Sequence, residues 1–237
     1  MGSCLKRSID ETKNKNKMKP QHIPDETALT EDDENGDKVC YPMIYKDHFS
    51  SLLISHATIL SRTKEIAESI AEQYDKTQPL VLVCILKGSS PFFNMLLNQL
   101  SLLSVPYIIE FVRVKSYVGN ETSGNVKLYQ VEMPLSLKNR HVIVVEDIID
   151  TGTTLKAIMP KFQDCQPKSI EICSLLVKRL NGSKEDDKVV AKYVGFSIPD
   201  KFVVGFGLDF NEMYRDLLDI WVLGEKGIEL GGYSDCQ

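Results

Sequence analysis

The hydrophobic residues of this chain follow two alternating patterns. Continuous apolar runs, of which Leu80–Leu86 is the clearest, are typical of strands buried on both faces of a parallel sheet. Between these runs, apolar residues recur every three or four positions, as in the segment that follows Ser90 and Pro91. The pattern predicts strands at 80–86, 107–114, 127–131, 142–146, 169–177, 193–197, 202–208 and 219–223.

Three segments outside these strands are predicted to be helices, and the segment from Tyr117 to Val126, which holds two glycines and small polar residues, is predicted to be a mobile loop. One has Ser61 as its cap and apolar positions from Ile66 to Tyr74, and a second begins at Ser90. A third covers 153–162, where Pro160 should end or kink the helix early. The alternation predicts an α/β fold with a mostly parallel, twisted sheet flanked by helices, and ligands at the carboxyl ends of the strands.

The first 38 residues differ from the rest of the chain. Only eight of them are hydrophobic, and their charge is basic through Lys19 and acidic from Asp25 to Asp37. Such a segment cannot bury enough apolar surface to order itself. We therefore expect a disordered, charged extension at 1–38 and a globular domain at 39–237.

Composition narrows the class of protein. The formal net charge of −5 argues against a nucleic-acid partner. The longest apolar run, Leu80–Leu86, is too short to cross a membrane, and residues 1–38 contain no apolar stretch of a secretory signal. The six cysteines lie far apart and lack C-x-x-C spacing, so a reduced, cytoplasmic protein is expected.

The most informative segment is Val142–Thr154, which reads VIVVEDIIDTGTT. An apolar strand ends in acids, and a Thr-Gly-Thr-Thr turn then begins a helix whose backbone N–H groups can hold an anion. Carboxylates repel a bare phosphate, so a site that needs both holds a divalent cation or a sugar whose hydroxyls the acids bind. The segment therefore predicts a phosphorylated ribose with Mg²⁺ nearby.

This segment resembles the signature of the type I phosphoribosyltransferases, which bind phosphoribosyl diphosphate (PRPP). Four further segments occur in the order and at a spacing similar to those of the hypoxanthine-guanine phosphoribosyltransferases. They are Leu86–Ser90, Val114–Tyr117, Leu176–Arg179 and Pro199–Arg215. The resemblance implies a core of about 60–205 and a small hood built from 39–58 and 206–237.

In this family the strand-end turn binds the 5′-phosphate. The resemblance therefore assigns that phosphate to Asp150, Thr151, Gly152, Thr153 and Thr154. It assigns the ribose hydroxyls to Glu146 and Asp147, partly through Mg²⁺.

The same resemblance assigns the purine site. Asp150 would face N7 of the base and exchange a proton there. Lys178 would donate to O6, and because an ammonium group has only donors it would reject the 6-amino group of adenine. Phe202 would stack on the ring, Val203 would present backbone groups to its edge, and Asp209 would lie nearby.

The remaining roles concern pyrophosphate and a lid. Lys87, Gly88 and Arg215 would bind pyrophosphate, and Asp209 would join Glu146 and Asp147 as a metal ligand. The Leu86–Lys87 peptide is expected to be cis. Lys115, Ser116 and Tyr117 would belong to a lid that excludes water. After Lys178 and Arg179 the family often carries another basic residue, which Leu180-Asn181-Gly182 lacks.

The resemblance implies a purine salvage enzyme that transfers the phosphoribosyl group from PRPP to N9 of hypoxanthine or guanine. The products would be IMP or GMP and pyrophosphate, Mg²⁺ the cofactor, and a homodimer or homotetramer the assembly. Two alternatives remain open, namely a phosphoribosyltransferase for another base and a non-catalytic PRPP-binding regulator of the same fold.

Overall fold

The computed structural model describes residues 17–25, 40–119, 126–130, 137–180 and 189–230, with backbone alone at 115–119 and 126–130. The strands of this part of the chain are β1 (Gln21–His22), β2 (Phe49–Ile54), β3 (Leu80–Leu86), β4 (Tyr107–Arg113), β5 (Lys115–Gly119), β6 (Val126–Gln130), β7 (His141–Ile149), β8 (Ser169–Lys178), β9 (Tyr193–Ile198), β10 (Val203–Val204) and β11 (Ile220–Leu223). The helices are α1 (His56–Gln73), α2 (Ser90–Leu102), α3 (Thr153–Asp164) and α4 (Glu225–Leu230).

A six-stranded sheet forms the centre of the molecule, in the order β1-β9-β8-β7-β3-β4. Every neighbouring pair in it is parallel, which confirms the predicted α/β fold. Successive residues of a strand point to opposite faces. In β3, Leu82 therefore joins the apolar cluster formed with α1 and α2, while Val83 joins the cluster formed with α3. The continuous apolar runs arise because both faces are covered.

A second sheet has antiparallel strands in the order β10-β11-β2, and one of its faces packs on this core, where Leu53, Val203 and Val222 join the cluster formed with α1 and α2. It joins segments from the two ends of the described chain. Beneath it lies an aromatic cluster that includes Tyr45, Tyr214 and Trp221. A third pair, β5 and β6, is an antiparallel hairpin.

The N-terminal strap, as we call residues 17–25, corrects the expectation of disorder across 1–38. Its strand β1 extends the central sheet beside β9, and Ile23 is buried in the core. Backbone hydrogen bonds from Met18 to Lys192 O (3.0 Å) and from Ile23 to Ser197 O (2.9 Å) continue the pairing. The expectation of disorder was wrong for 17–25 because it rested on composition alone. The sequence does not show that β9 has an open edge with which this segment can pair. Residues 1–16 and 26–39 lie outside the described part.

Several element boundaries also differ from prediction. Helix α1 begins earlier, with Ser55 as its cap instead of Ser61. Helix α3 continues past Pro160 to Asp164, because Phe162 remains buried against the sheet. Strand β7 runs on through Ile149, so Asp147 belongs to the strand together with Glu146, and Asp150 follows it.

The last part of the chain shows further differences. The strand predicted at 202–208 is only Val203–Val204, followed by a turn, and helix α4 was not predicted. The loop expected from Tyr117 to Val126 is strand at both ends, while 120–125 lie outside the described residues. Within the described residues, no helix is long and apolar enough to cross a membrane.

Candidate active site

The predicted site residues come mainly from the carboxyl ends of three adjacent strands of the central sheet. Lys87 and Gly88 follow β3, Asp150 follows β7, and Lys178 ends β8. Because these strands are parallel neighbours, their ends meet at one edge of the sheet.

The turn after β7 leads directly into helix α3. Gly152 occupies the N-cap position with a left-handed φ of 72°, and no side chain at that position caps the helix. A Cβ atom on Gly152 would lie 2.7 Å from Cγ2 of Val189, so a side chain has neither the conformation nor the space. Thr151 and Thr153 are exposed, and their hydroxyl oxygens lie 2.9 Å apart. The Thr153 N–H group donates to Oγ1 of Thr151 at 3.4 Å, a long hydrogen bond that an anion bound at this helix N-terminus can replace.

Two acidic residues near the end of β7 are held in a weakly solvated environment. Glu146 is buried, and among the described residues its Oε2 atom has no hydrogen-bond partner. Burial, reinforced by the charge of Asp147, raises the pKa of the Glu146 carboxyl well above its usual value. Burial also raises the pKa of Asp147 to about 6, against the opposing effect of the Ile148 N–H group at 2.7 Å. A nearby positive charge would stabilise the ionised form of both carboxyl groups.

Lys178 connects the end of β8 to two carboxylates. Its ammonium nitrogen lies 3.1 Å from Oδ2 of Asp150 and 3.5 Å from Oδ1 of Asp200. The Lys178 side chain is only 11% exposed, whereas the carboxylates are about half exposed. The contact brings together the two residues predicted to recognise the purine edge.

Phe202 and Val203 lie at the start of the second sheet. Phe202 is 47% exposed, and its ring meets that of Phe210 edge-on with centroids 5.2 Å apart. Val203 is buried and pairs with Val222 in the register of β10 and β11. The N–H group of Leu223 donates to Phe202 O at 2.9 Å and so fixes this backbone.

Arg215 is anchored in the loop after β10. Its Nη1 donates to Gly207 O at 2.7 Å, and its Nη2 lies 2.8 Å from Oδ1 of Asp209. The Lys87 ammonium lies 2.9 Å from Oε2 of Glu212 in the same loop. The two predicted pyrophosphate cations therefore approach a common region.

Gly88 and Gly207 allow close contact between the end of β3 and the loop after β10. A Cβ atom on Gly88 would lie 1.7 Å from Oδ2 of Asp147, and one on Gly207 would lie 2.1 Å from Gly88 O. The preceding Leu86–Lys87 peptide is cis, as expected.

Lys115, Ser116 and Tyr117 lie in strand β5, and only their backbone is described. Sequence reasoning missed two charged residues of the site, Asp200 and Glu212. Both occur within the Pro199–Arg215 motif, but nothing in the local sequence indicates that they contact Lys178 and Lys87.

Possible metal ligands are Glu146, Asp147 and Asp209. Among the residues that the structure describes, no group of three or more His, Cys, Asp or Glu side chains is arranged to hold a metal ion. Asp209 is instead engaged by Arg215 and by the N–H group of Glu212, at 2.9 Å from its Oδ2.

Comparison with known proteins defines the class first. A family model described as the phosphoribosyl transferase domain matches residues 53–211, which contain most of the groups described above. The protein is thus a phosphoribosyltransferase enzyme with the type I fold.

The particular family follows from individual relatives. The chain is 36% identical over 212 residues to human hypoxanthine-guanine phosphoribosyltransferase, covering 84% of this chain and 94% of the human one. The solved hypoxanthine phosphoribosyltransferase of Trypanosoma cruzi superposes with a TM-score of 0.69 at 34% identity, covering 78% and 96% of the two chains. The Schistosoma mansoni hypoxanthine-guanine enzyme in complex with IMP gives a TM-score of 0.72 at 27% identity, covering 90% and 99%. The chain belongs to the hypoxanthine-guanine phosphoribosyltransferases, a family of purine salvage transferases.

Proposed function

We propose that this protein transfers the phosphoribosyl group of PRPP to N9 of hypoxanthine or guanine, forming IMP or GMP and pyrophosphate. The observation that carries this proposal is the 3.1 Å contact between Lys178 and Asp150 beside the open N-terminus of α3. It supports a base site with a donor and a proton acceptor directly next to a phosphate site.

The 5′-phosphate would be bound by the turn from Asp150 to Thr154. Backbone N–H groups of the first helical turn and the hydroxyls of Thr151, Thr153 and Thr154 supply donors, and the helix dipole favours the negative charge. The absence of a Cβ atom on Gly152 lets the turn close against Val189.

The purine would lie between Lys178 and Phe202. The ammonium group of Lys178 donates to a 6-oxo group and cannot accept from a 6-amino group, which disfavours adenine. The exposed Phe202 ring is available for stacking, and Val203 is suited to offer backbone groups to the base edge. Asp150 would hold or release a proton at N7.

The leaving pyrophosphate would be bound by Lys87, the Gly88 backbone and Arg215. The guanidinium of Arg215 is already oriented by Gly207 O and Asp209, so its placement needs little reorganisation when the anion binds.

Mg²⁺ fits the acids at the end of β7. Oε2 of Glu146 is buried without a hydrogen-bond partner among the described residues, and the pKa values of both Glu146 and Asp147 are raised, so a divalent cation would supply the missing positive charge. Mg²⁺ commonly uses one or two protein carboxylates together with substrate oxygens and water, so a full protein cage is unnecessary. When bound, the ion would neutralise diphosphate charge, with Glu146 and Asp147 holding the ribose side and Asp209 a candidate on the diphosphate side.

Departure of pyrophosphate leaves positive charge on the ribose ring. The chain's own contribution is to align purine N9 with C1 of the ribose, to stabilise the leaving group through Lys87 and Arg215, and to exclude water. We assign the last role to a lid that includes Lys115, Ser116 and Tyr117. Attack from the face opposite pyrophosphate inverts the anomeric centre.

One assay separates this proposal from its two alternatives. The protein is mixed with PRPP, Mg²⁺ and each base in turn, and nucleotide formation is followed. Nucleotide from hypoxanthine or guanine supports the proposal, and nucleotide from another base alone supports a different base specificity. Tight PRPP binding without any nucleotide supports the regulator. The proposal is favoured over both because Lys178, Asp150 and Arg215 are all present with their supporting contacts.

We further propose a homodimer or homotetramer in the cytoplasm. Leu102 at the end of α2 and Phe111 in β4, an edge strand of the central sheet, are apolar and 78% and 57% exposed. Cys84 and Cys173 are buried free thiols, in keeping with a reducing compartment. Sedimentation analysis, which reports molecular mass in solution, tests the assembly.

A further inference from the structure

The carboxylate of Glu212 lies between the two cations that we assign to pyrophosphate. Its Oε2 atom accepts a hydrogen bond from Lys87 Nζ at 2.9 Å, and the same oxygen lies 3.4 Å from both Nε and Nη2 of Arg215. Lys87 follows β3, whereas Glu212 and Arg215 belong to the loop after β10. A single anionic oxygen therefore joins cations from two distant parts of the chain, as a bound anion would.

The turn around Glu212 keeps the side chain in this position. Its backbone N–H group donates to Asp209 Oδ2 at 2.9 Å. Asn211 and Glu212 both have left-handed φ angles, 51° and 65°, which are uncommon for residues other than glycine. The Glu212 side chain is 65% exposed, and an ordinary exposed glutamate is ionised at neutral pH.

We propose that Glu212 is an intramolecular competitor of the diphosphate group, and that its carboxylate occupies the cationic site until PRPP or pyrophosphate displaces it. This inference rests on the proposed function, because it takes Lys87 and Arg215 to be diphosphate contacts.

The contacts of Arg215 indicate that Glu212 competes with the diphosphate and is not needed to hold the two cations in place. Gly207 O at 2.7 Å and Asp209 Oδ1 at 2.8 Å hold the guanidinium without help from Glu212. The side chains of Glu212 and Lys87 are 65% and 52% exposed, so the carboxylate can leave without any repacking of the core. A diphosphate carries more negative charge than a carboxylate, so its electrostatic interaction with the same two cations is stronger.

The test compares Glu212→Gln and Glu212→Ala with the unaltered full chain. Titration calorimetry with pyrophosphate and Mg²⁺ should give a Kd lower by about two- to fivefold in both variants, the range typical of exposed ion pairs. In steady-state assays the KM for PRPP should fall by a similar factor while the KM for hypoxanthine stays the same. Glu68→Gln is the matched control, since it removes one negative charge from the exposed face of α1 and should change neither constant.

Unchanged or weaker pyrophosphate binding in both variants overturns the proposal, since weaker binding means that Glu212 organises the two cations. A thermal melt that matches the unaltered chain shows that each variant is folded. Failure of the proposed function would look different. In that case the unaltered chain forms no nucleotide from PRPP and a purine, whatever substitution at Glu212 does to pyrophosphate binding.

Discussion

The ammonium group of Lys178 lies 3.1 Å from the carboxylate of Asp150, although Lys178 ends strand β8 and Asp150 follows strand β7. Strands β7 and β8 are paired in parallel, with Ile149 opposite Val177, so the residues that follow these two are neighbours. The two groups that we assign to O6 and N7 of a purine thus lie side by side. O6 and N7 lie on the same edge of a 6-oxopurine, so one bound base could contact Lys178 and Asp150 together.

Asp150→Asn should slow turnover far more than it weakens PRPP binding. The amide keeps the size of the side chain but cannot exchange a proton at N7, and general acid–base catalysis contributes about 10²–10⁴-fold. Single-turnover rates and calorimetric PRPP affinity measure the two effects separately. Equal losses in rate and affinity would show that Asp150 acts only in binding.

Lys178→Ala should weaken the preference for 6-oxopurines over adenine. A hydrogen bond from a charged donor is worth about 1.5–3 kcal/mol, so the ratio of kcat/KM values should fall by about tenfold to a hundredfold. Removing the ammonium also frees Asp150 and Asp200, which lie 3.1 and 3.5 Å from it. An unaltered preference in this variant would place selectivity elsewhere.

Gly88→Ala should disrupt the PRPP side of the site. The new methyl group would meet Oδ2 of Asp147 at 1.7 Å, so Asp147 must move. We expect a loss of stability of about 1–3 kcal/mol, as in other overpacked positions, and a raised KM for PRPP. Gly224→Ala is the control, because its nearest neighbour would be His48 O at 3.2 Å. A comparable rise in the KM for PRPP in both variants would contradict a specific role for the Gly88 contact.

Arg62→Ala should loosen the N-terminal strap from the sheet. The buried guanidinium donates to Gly195 O at 2.9 Å and Val194 O at 3.0 Å, and it also hydrogen bonds to Lys19 O and Glu65. Losing a charged donor to buried acceptors should lower the free energy of unfolding by about 2–3 kcal/mol.

Hydrogen exchange measures the same effect locally, and protection of the backbone of Met18 and Ile23 should fall in Arg62→Ala. Lys64→Ala, on the exposed face of α1, serves as control and should leave that protection as it is. Full protection of the strap in Arg62→Ala would mean that the β1–β9 pairing holds the strap without the arginine.

The contribution of His48 to stability should fall as the pH drops below about 6.5, whereas the raised pKa values of Glu146 and Asp147 change stability in the opposite direction. Burial, together with the charge of Lys226, lowers the pKa of His48 from 6.5, and the imidazole is 2.9 Å from the hydroxyl of Tyr214. Below the unfolded pKa of His48 the imidazole binds more protons in the unfolded chain than in the native one, so this contribution to the stability of the native state is lost as the pH falls through this window toward the lowered folded pKa. His141, whose pKa is lowered by burial as well, contributes in the same direction. The difference in free energy of unfolding between His48→Gln and the unaltered chain, measured with denaturant, isolates this contribution, because the effect of Glu146 and Asp147 is common to both proteins. The variant should gain stability relative to the unaltered chain as the pH falls through this window, and parallel curves would exclude a contribution from His48.

The elements that sequence predicted well are those governed by neighbours within a few residues. The apolar run Leu80–Leu86 is a strand with the predicted bounds, and the signature segment gives strand β7, the turn at Gly152 and helix α3. In each case strand periodicity, glycine conformation or helix capping operates locally, so the order of residues suffices. The resemblance of five ordered segments then indicated the family, which the relatives confirm.

The tertiary structure alone decided which distant residues meet. The strap joins the sheet because β9 has an open edge, Asp200 reaches Lys178 because β8 and β9 are adjacent, and Glu212 reaches Lys87 because the loop after β10 packs on Gly88. Such contacts depend on strand order, register and packing of the whole chain. Residues close in space but far apart in sequence carry no local pattern by which either one could be recognised.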